Sequence, residues 1–316
     1  MKLLMTALFC LIAGCSSQIK RPSDVQVQQT ALDGYATAAK LQALFNDTRA
    51  DCGGPSRPAF LCSGIMGRAT VKSTAYKVWN PSPSSVTRGG VSWSWVRRDS
   101  SFRTFYYNNG YFVYPIFDSP SDKIDIDVFC MFPMNAGTVG RSENGCGAMT
   151  SQPLTSRPCH LSGITTAQQW LNNYRTNNAQ CGFNVRETSA GDHSASAYIE
   201  GVRAMALLGA TSFQGWNEVV SGIWPQNIHR AVPLWTFFYT GSGLPDAQYN
   251  QLDFYNASGG IVAPIIRVTM PTVQGGNASF QFFSGEQVVG RWAPSGVGQG
   301  EYTTNKPGAT PALSGN

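Results

Sequence analysis

A short apolar segment that ends in a cysteine constrains this chain more than any other feature. The chain begins Met1-Lys2, an apolar run reaches Ala13, and Gly14-Cys15 follows. One positive charge, an apolar core too short to span a bilayer and small residues before a cysteine are typical of a bacterial lipoprotein signal. We therefore expect cleavage before Cys15, acylation of that cysteine and export to an oxidising compartment. An ordinary secretory signal with an incidental thiol is the alternative.

The residue after Cys15 bears on the destination of the exported protein. Ser16 stands there, and the absence of an aspartate predicts the outer membrane in a cell that has one. Release as a secreted protein is the alternative. Membrane contact is expected through the lipid anchor, because no second apolar segment is long enough to cross a bilayer.

Cysteines of an exported chain are expected to form disulfides. With Cys10 lost in the signal and Cys15 acylated, six cysteines remain, and six allow fifteen connectivities. Short Pro-, Gly- and Ser-rich loops favour one pairing. The predicted bridges are Cys52–Cys62, Cys146–Cys159 and Cys130–Cys181. No Cys-x-x-Cys pair occurs, so we expect neither zinc nor thioredoxin-like chemistry.

Charge and motifs exclude several classes of function. The chain has 23 Lys and Arg against 18 Asp and Glu, a net charge of +5, and no basic run longer than Arg97-Arg98. So small an excess argues against nucleic acid as a partner. Phosphate-binding loops, metal-binding motifs and the Gly-x-Ser-x-Gly of α/β-hydrolases are missing. We expect no metal and no cofactor, and the oligomeric state stays open.

Periodicity along the chain predicts an α+β protein with a mixed, largely antiparallel sheet and flanking helices. Asn108-Asn109-Gly110 is a hairpin signal. The predicted helices cover 28–50, 162–174, 192–208 and 243–255. The predicted strands cover 59–70, 90–96, 106–114, 124–132, 233–239, 262–270, 278–283 and 287–292.

Composition and the predicted disulfides define the domain organisation. We predict a signal peptide at 1–14, a lipidated tether at 15–27, a single α+β domain at 28–304 and a disordered tail at 305–316. A Cys130–Cys181 bridge would tie the first strands to the central helices, which favours one domain over two.

Two predicted strands carry polar side chains that suit an anionic ligand. Arg68 lies near the end of the first strand, and Ser92 and Ser94 share one face of the second, with Trp93 and Trp95 on the other. A guanidinium binds phosphate through two parallel hydrogen bonds, and hydroxyls orient a carboxylate or a sugar. The alternative is a strand with a solvated serine face and an arginine at its end.

Six sequence blocks follow one another in a characteristic order over most of the exported chain. They cover residues 57–70, 79–95, 166–171, 216–218, 233–239 and 264–271. In this order they resemble the halovibrin family of exported bacterial proteins. That family is described as NAD glycohydrolases, reported earlier as ADP-ribosyltransferases. The resemblance implies an ADP-ribosyltransferase-like core that cleaves the nicotinamide–ribose bond, with NAD as its substrate.

Such cleavage requires a cation for the pyrophosphate, an aromatic wall for nicotinamide and a carboxylate beside an oxocarbenium-like ribose. ADP-ribosyl-transferring folds often use an arginine and a Ser-x-Ser strand, to which Arg68 and Ser92/Ser94 are similar. Trp93 and Trp216 are the candidate aromatic walls.

The same pattern ends in a late Glu-x-Glu or Gln-x-Glu, which supplies the candidate carboxylate. Gln299-Gly-Glu301 is the only Gln-x-Glu in the chain, so Glu301 is the first candidate and Gln299 accompanies it. Glu218 is the second candidate, because its aromatic neighbours offer a partly dry setting. The absence of Glu-x-Glu favours hydrolysis over transfer to a protein acceptor.

Two other classes of function compete with the enzyme. A non-catalytic envelope lipoprotein that binds a ligand or a partner protein would have the same tether and the same aromatic-rich strands. A cysteine hydrolase would use Cys62 within Leu61-Cys62-Ser63-Gly64, and it requires a free thiol at that position.

Overall fold

A nine-stranded sheet with helices on both faces forms the centre of the computed structural model. The structure describes residues 24–49, 52, 62–79, 82–83, 85, 90–113, 128–136, 146, 149–151, 154–156, 158–185, 195–212, 215–221, 234–289, 291–292 and 303–304. The predicted signal peptide, Cys15 and the tail at 305–316 lie outside this part of the chain.

Four α-helices and thirteen strands make up the described part. The helices are α1 (Asp24–Asn46), α2 (Ala167–Asn177), α3 (Ala195–Thr211) and α4 (Leu244–Ala257). The strands are β1 (Ile65–Ala69), β2 (Val91–Val96), β3 (Asn109–Val113), β4 (Val128–Phe132), β5 (Met149–Ser151), β6 (Leu154–Ser156), β7 (Phe183–Asn184), β8 (Glu218–Ser221), β9 (Leu234–Tyr239), β10 (Ile265–Thr269), β11 (Ser279–Phe282), β12 (Arg291–Trp292) and β13 (Thr303–Thr304).

The large sheet has the strand order β11-β10-β9-β3-β1-β2-β8-β4-β7. Only β9 and β10 run parallel; every other neighbouring pair in it is antiparallel. The predicted α+β class with a largely antiparallel sheet is therefore confirmed. The nine strands of this sheet come from a stretch between residues 65 and 282, while β5–β6, within that stretch, and β12–β13 form two small separate pairs.

The two faces of the sheet pack against different helices. On the three-helix face, α2, α3 and α4 cover the sheet with side chains such as Trp170, Met205 and Ala247. On the α1 face, Leu41 and Phe45 of α1 pack on the outer strands β10 and β11 and on β1. Because both faces of the sheet bury apolar side chains, the central strands consist mostly of apolar residues.

Local sequence signals fixed most of these elements. Thr166 caps α2: its side chain accepts from the backbone N–H of Gln169, and the Gln169 side chain returns a bond to the cap. All four predicted helices are present, with shifted ends. The strand predicted over 287–292 is shorter, since only its last two residues form β12, while the Gln287 side chain is buried and bonded to the backbone of Ile265.

The predicted hairpin at Asn108-Asn109-Gly110 is wrong. Asn109 and Gly110 begin β3, a central strand between β1 and β9. A Cβ on Gly110 would lie 2.1 Å from the carbonyl oxygen of Arg68. The glycine is therefore required by the close approach of two strands, which a sequence pattern does not distinguish from a turn.

Three disulfides are present among the described cysteines, but only one has the predicted pairing. The Cys52–Cys62 bridge is confirmed, so Cys62 is not a free thiol and the cysteine-hydrolase hypothesis fails. The other two pairings are wrong. The observed bridges are Cys130–Cys146 and Cys159–Cys181.

Backbone pairing explains the exchange of partners. The segment before α2 pairs with the strand region at Gly182, since the Cys159 N–H donates to the Gly182 carbonyl. This brings Cys159 beside Cys181. A Cβ on Gly182 would lie 2.2 Å from the sulfur of Cys130, so the Cys130–Cys146 bridge packs directly on that glycine.

Candidate functional site

A hydrogen-bonded serine–glutamate pair lies in the middle of the sheet on its α1 face. Glu218 is the first residue of β8, which runs between β2 and β4. The Ser92 hydroxyl donates to Glu218 Oε1 at 2.6 Å, and the backbone N–H of Ala136 donates to Oε2 at 3.1 Å. The glutamate is only 3% exposed. Both carboxylate oxygens are therefore held by donors inside the protein.

Asn217 fixes the start of β8 against β2. Its buried side-chain amide accepts from the backbone N–H of Trp95 at 2.8 Å and donates to the Trp95 carbonyl at 2.8 Å. This paired contact replaces a backbone ladder step between two neighbouring strands. Glu218 is next in the chain, so the contact sets the position from which its side chain extends over the α1 face.

Ser94 lies on the same face as Ser92 but has a weaker connection to the glutamate. Its hydroxyl donates to the carbonyl of Asn217 at 3.4 Å. Both serines are half-buried, so both retain some access to solvent. The prediction that they share one face, with Trp93 and Trp95 on the other, is confirmed by the strand register.

Three aromatic side chains, among them Trp216 two residues before Glu218 and packed on the α1-face cluster, form what we call the aromatic ledge: Tyr106, Tyr107 and Trp216. Their rings contact edge to face, with centroids 5.4 Å apart for Tyr106 and Trp216 and 4.6 Å for Tyr106 and Tyr107. Tyr106 is 67% exposed. The backbone N–H groups at 103 and 104 both donate to the Gly215 carbonyl, which ties the ledge to the residues just before Glu218.

Arg68 does not join this site. Gly67 lies opposite Ser94 and Met66 lies opposite Trp95 in the β1–β2 pair. Residues directly opposite one another share a face, and side chains alternate along a strand. The Arg68 side chain is therefore on the three-helix face, and the serines are on the α1 face. The prediction that Arg68, Ser92 and Ser94 line one cleft is wrong.

On the three-helix face, Arg68 has polar and aromatic neighbours. Its Nη2 donates to the Ser85 hydroxyl at 3.2 Å. Tyr111 lies directly opposite it on β3 and is fully buried. Burial raises the pKa of the Tyr111 phenol to about 12, an effect that the nearby Arg68 charge partly opposes.

The two tryptophans predicted as aromatic walls lie in different environments. Trp93 is buried on the three-helix face, where its indole N–H donates to the Ser221 hydroxyl at 2.8 Å and its ring packs edge-on against Tyr111. It is a core residue, and the prediction that it binds a ligand is wrong. Trp216 is half-buried in the aromatic ledge, and part of its side chain is accessible to a ligand.

Gln299 and Glu301, the first candidates for the carboxylate, lie outside the described residues. Within the described part of the chain, no group of three His, Cys, Asp or Glu side chains fits a metal ion. Nor does any helix there have the length and apolar character to cross a bilayer.

Sequence reasoning missed three residues that matter at these sites. Ala136 contributes only its backbone N–H, which no side-chain pattern reveals. Asn217 lies within the sequence block at 216–218, and Tyr111 lies in a predicted aromatic strand. The roles of both residues depend on which strands become neighbours in the sheet, which the sequence pattern does not indicate.

Comparison with known proteins adds no relative to this geometry. No protein-family model matches the chain, and no match was found among curated proteins.

Proposed function

We propose that the protein is an exported NAD glycohydrolase in which Glu218 is the catalytic carboxylate. The observation that carries the proposal is the Ser92–Glu218 hydrogen bond of 2.6 Å, on a sheet face beside an exposed aromatic ledge. The resemblance of six sequence blocks to the halovibrin family supports the choice of NAD as the substrate.

The chemistry of the nicotinamide–ribose bond suits a single carboxylate. Nicotinamide is a cationic pyridinium in NAD and takes the bonding electron pair when it leaves, so it departs neutral and needs no general acid. The ribose carbon becomes oxocarbenium-like, and a water molecule then adds to it and releases a proton. A carboxylate in a mostly buried setting stabilises the positive charge more strongly than the same group in water.

Each neighbour of Glu218 has a role in this proposal. Ser92 and the Ala136 N–H hold the carboxylate in one orientation, so Ser92 is a positioning residue. Ser94 offers a hydroxyl to a ribose oxygen, and Trp216 offers a flat surface to an aromatic ring. Arg68 has no part, because it lies on the other face.

Nicotinamide release from NAD by the purified protein tests the proposal. We expect Glu218→Gln to lower kcat about 10²- to 10³-fold, as the loss of one charge-stabilising group does in other enzymes. Glu200→Gln, on the three-helix side of the sheet, is the matched control and should retain activity. Absence of release by the unaltered protein would refute the function, and full activity of Glu218→Gln together with an inactive Glu301→Gln would move the carboxylate to Glu301.

The two serines provide a graded test of positioning. We expect Ser92→Ala to lower kcat about tenfold with little change in KM, because the carboxylate loses its donor but the substrate surface is kept. Ser94→Ala should act mainly on KM, since its hydroxyl donates to the Asn217 carbonyl, so its loss does not remove a donor from Glu218. Equal effects of the two variants on kcat would contradict this division.

Export and anchoring are part of the same proposal. We infer that cleavage before Cys15 leaves a lipidated N-terminus that holds the enzyme at the outer membrane or precedes its release. Mass spectrometry of the mature N-terminus measures this directly: a diacyl or triacyl mass on Cys15 is expected. A protein that begins at another residue without lipid would favour ordinary secretion.

A non-catalytic envelope lipoprotein is the second candidate, and the exposure of the aromatic ledge favours it. Exposed, adjacent aromatic side chains are enriched at binding surfaces. The two candidates differ in one result, because a binding protein would retain NAD or a partner without releasing nicotinamide.

A further inference from the structure

Two buried hydrogen-bond donors on the three-helix face have no acceptor among the residues that the structure describes. They are Arg68 Nη1 and the hydroxyl of Tyr111. Buried donors in folded proteins almost always have a partner, since leaving one unpaired costs about 1–3 kcal/mol and more for a charged group. Two such donors side by side are suited to a ligand that carries acceptor oxygens.

Strand pairing makes the two donors neighbours. Arg68 of β1 and Tyr111 of β3 are directly opposite each other in the antiparallel pair, so their side chains leave the same face of the sheet. The Arg68 charge is close enough to act on the ionisation of the Tyr111 phenol. A ligand that reaches one donor can therefore reach the other.

The described neighbours of these two donors bond other groups nearby but provide no acceptor for the two donors themselves. The Trp93 indole N–H has Ser221 as its acceptor, and the other terminal nitrogen of Arg68 has Ser85. The Ser85 hydroxyl also lies 3.1 Å from that of Ser82. In the described part of the chain, no carboxylate forms a salt bridge with Arg68. Its positive charge is uncompensated there.

We propose that Arg68 and Tyr111 form a binding site for a small oxyanion, a phosphate or carboxylate group of a ligand. A guanidinium and a phenol present donors that match two oxygens of such a group, and the charge offsets the cost of burying the anion. Ser82 and Arg68 are half-buried while Tyr111 is fully buried, so the site runs from the surface inward. It lies on the opposite face from Glu218 and does not depend on the proposed hydrolysis.

Thermal unfolding of the purified protein in phosphate, acetate and chloride at matched ionic strength tests the site. We expect phosphate or acetate to raise the Tm above its value in chloride by about 3 °C at ten times the Kd. The phosphate and acetate arms distinguish the two kinds of oxyanion. No rise with either anion would overturn the proposal.

Tyr111→Phe is the decisive variant because it removes only the hydroxyl. In chloride it should unfold at the same temperature as the unaltered protein or higher, because an unpaired donor is gone. In whichever anion raises the Tm of the unaltered protein, the Tyr111→Phe variant should lose most of that increase in Tm. Arg68→Gln should lose the rise as well, and Arg98→Gln, an exposed arginine bonded to the Gly275 carbonyl, should keep it. A rise that persists in Tyr111→Phe and Arg68→Gln would show a general salt effect and refute the site.

Discussion

The two faces of the central sheet treat their charged side chains in opposite ways. On the α1 face, the Glu218 carboxylate is buried with a donor on each oxygen. On the three-helix face, the Arg68 guanidinium has one nitrogen bonded to Ser85 and one buried nitrogen for which the described residues offer no acceptor. The two residues lie on strands separated only by β2.

The Glu218 carboxylate is thus fixed by hydrogen bonds within the protein, whereas the Arg68 guanidinium has a donor available for a ligand. A carboxylate fixed by internal donors is suited to act on a bound substrate, because it needs no reorganisation when charge develops. A cation with an open donor is suited to hold an anion. The sheet thus separates the proposed reaction from the proposed anion site by its own thickness.

The largest expected effect concerns the two disulfides that flank the sheet, each tested by replacing both of its cysteines. The Cys130–Cys146 and Cys159–Cys181 bridges span 16 and 22 residues, so their removal should cost a similar free energy of unfolding, about 3 kcal/mol each. Only the loss of Cys130–Cys146 should also lower nicotinamide release, because Ala136 and β4 lie beside Glu218.

Urea denaturation and the NAD assay on the two double variants provide these measurements, and each variant is the other's control. If both double variants lose the same share of activity for each kcal/mol of lost unfolding free energy, then the site on the α1 face does not depend specifically on the Cys130–Cys146 bridge.

A somewhat smaller effect is expected at Asn217. Asn217→Ala removes both hydrogen bonds between the Asn217 amide and the backbone of Trp95, at a cost of about 2 kcal/mol, while the Ser100 hydroxyl still donates to the Trp95 carbonyl. The urea midpoint should fall with an unchanged m-value. Asn177→Ala, which removes an exposed amide bonded to Asn173, is the control. A change of less than about 0.5 kcal/mol for Asn217→Ala would mean that β8 does not rely on this side chain.

The smallest effect concerns pH and the three-helix face. Burial raises the pKa of Tyr111 to about 12 from the ordinary value near 10. As the pH rises, the phenol therefore loses its proton in the unfolded chain before it does so in the folded protein. The contribution of the buried, protonated Tyr111 to the free energy of unfolding is complete below pH 10 and is lost as the pH rises towards 12. About 1.4 kcal/mol should be lost by pH 11.

Stability measured from pH 9 to 11 tests this expectation. The slope should be shallower in Tyr111→Phe than in the unaltered protein, while Tyr106→Phe, which removes an exposed hydroxyl, should leave the slope as it is. Identical slopes for the unaltered protein and Tyr111→Phe would show that the phenol is not buried as described.

Sequence reasoning succeeded where the signal was local. The capped helix after Thr166, the alternation of Ser92 and Ser94 with Trp93 and Trp95, and the Cys52–Cys62 bridge across a short loop all depend on residues close in the chain. It failed at Gly110 and at the other two bridges, where the deciding contact comes from a strand elsewhere in the sequence.

By itself, the sequence determined the α+β class, the positions of the four helices and those of most strands in the large sheet, but it did not predict β7 or β8, the strand that begins with Glu218. Only the tertiary structure decided which side of β1 faces the same way as the serines of β2. Side chains alternate with a period of two, so a register shift of one residue would exchange the faces. The observed pairing of Gly67 with Ser94 sends Arg68 to one face and leaves Ser92 with Glu218 on the other.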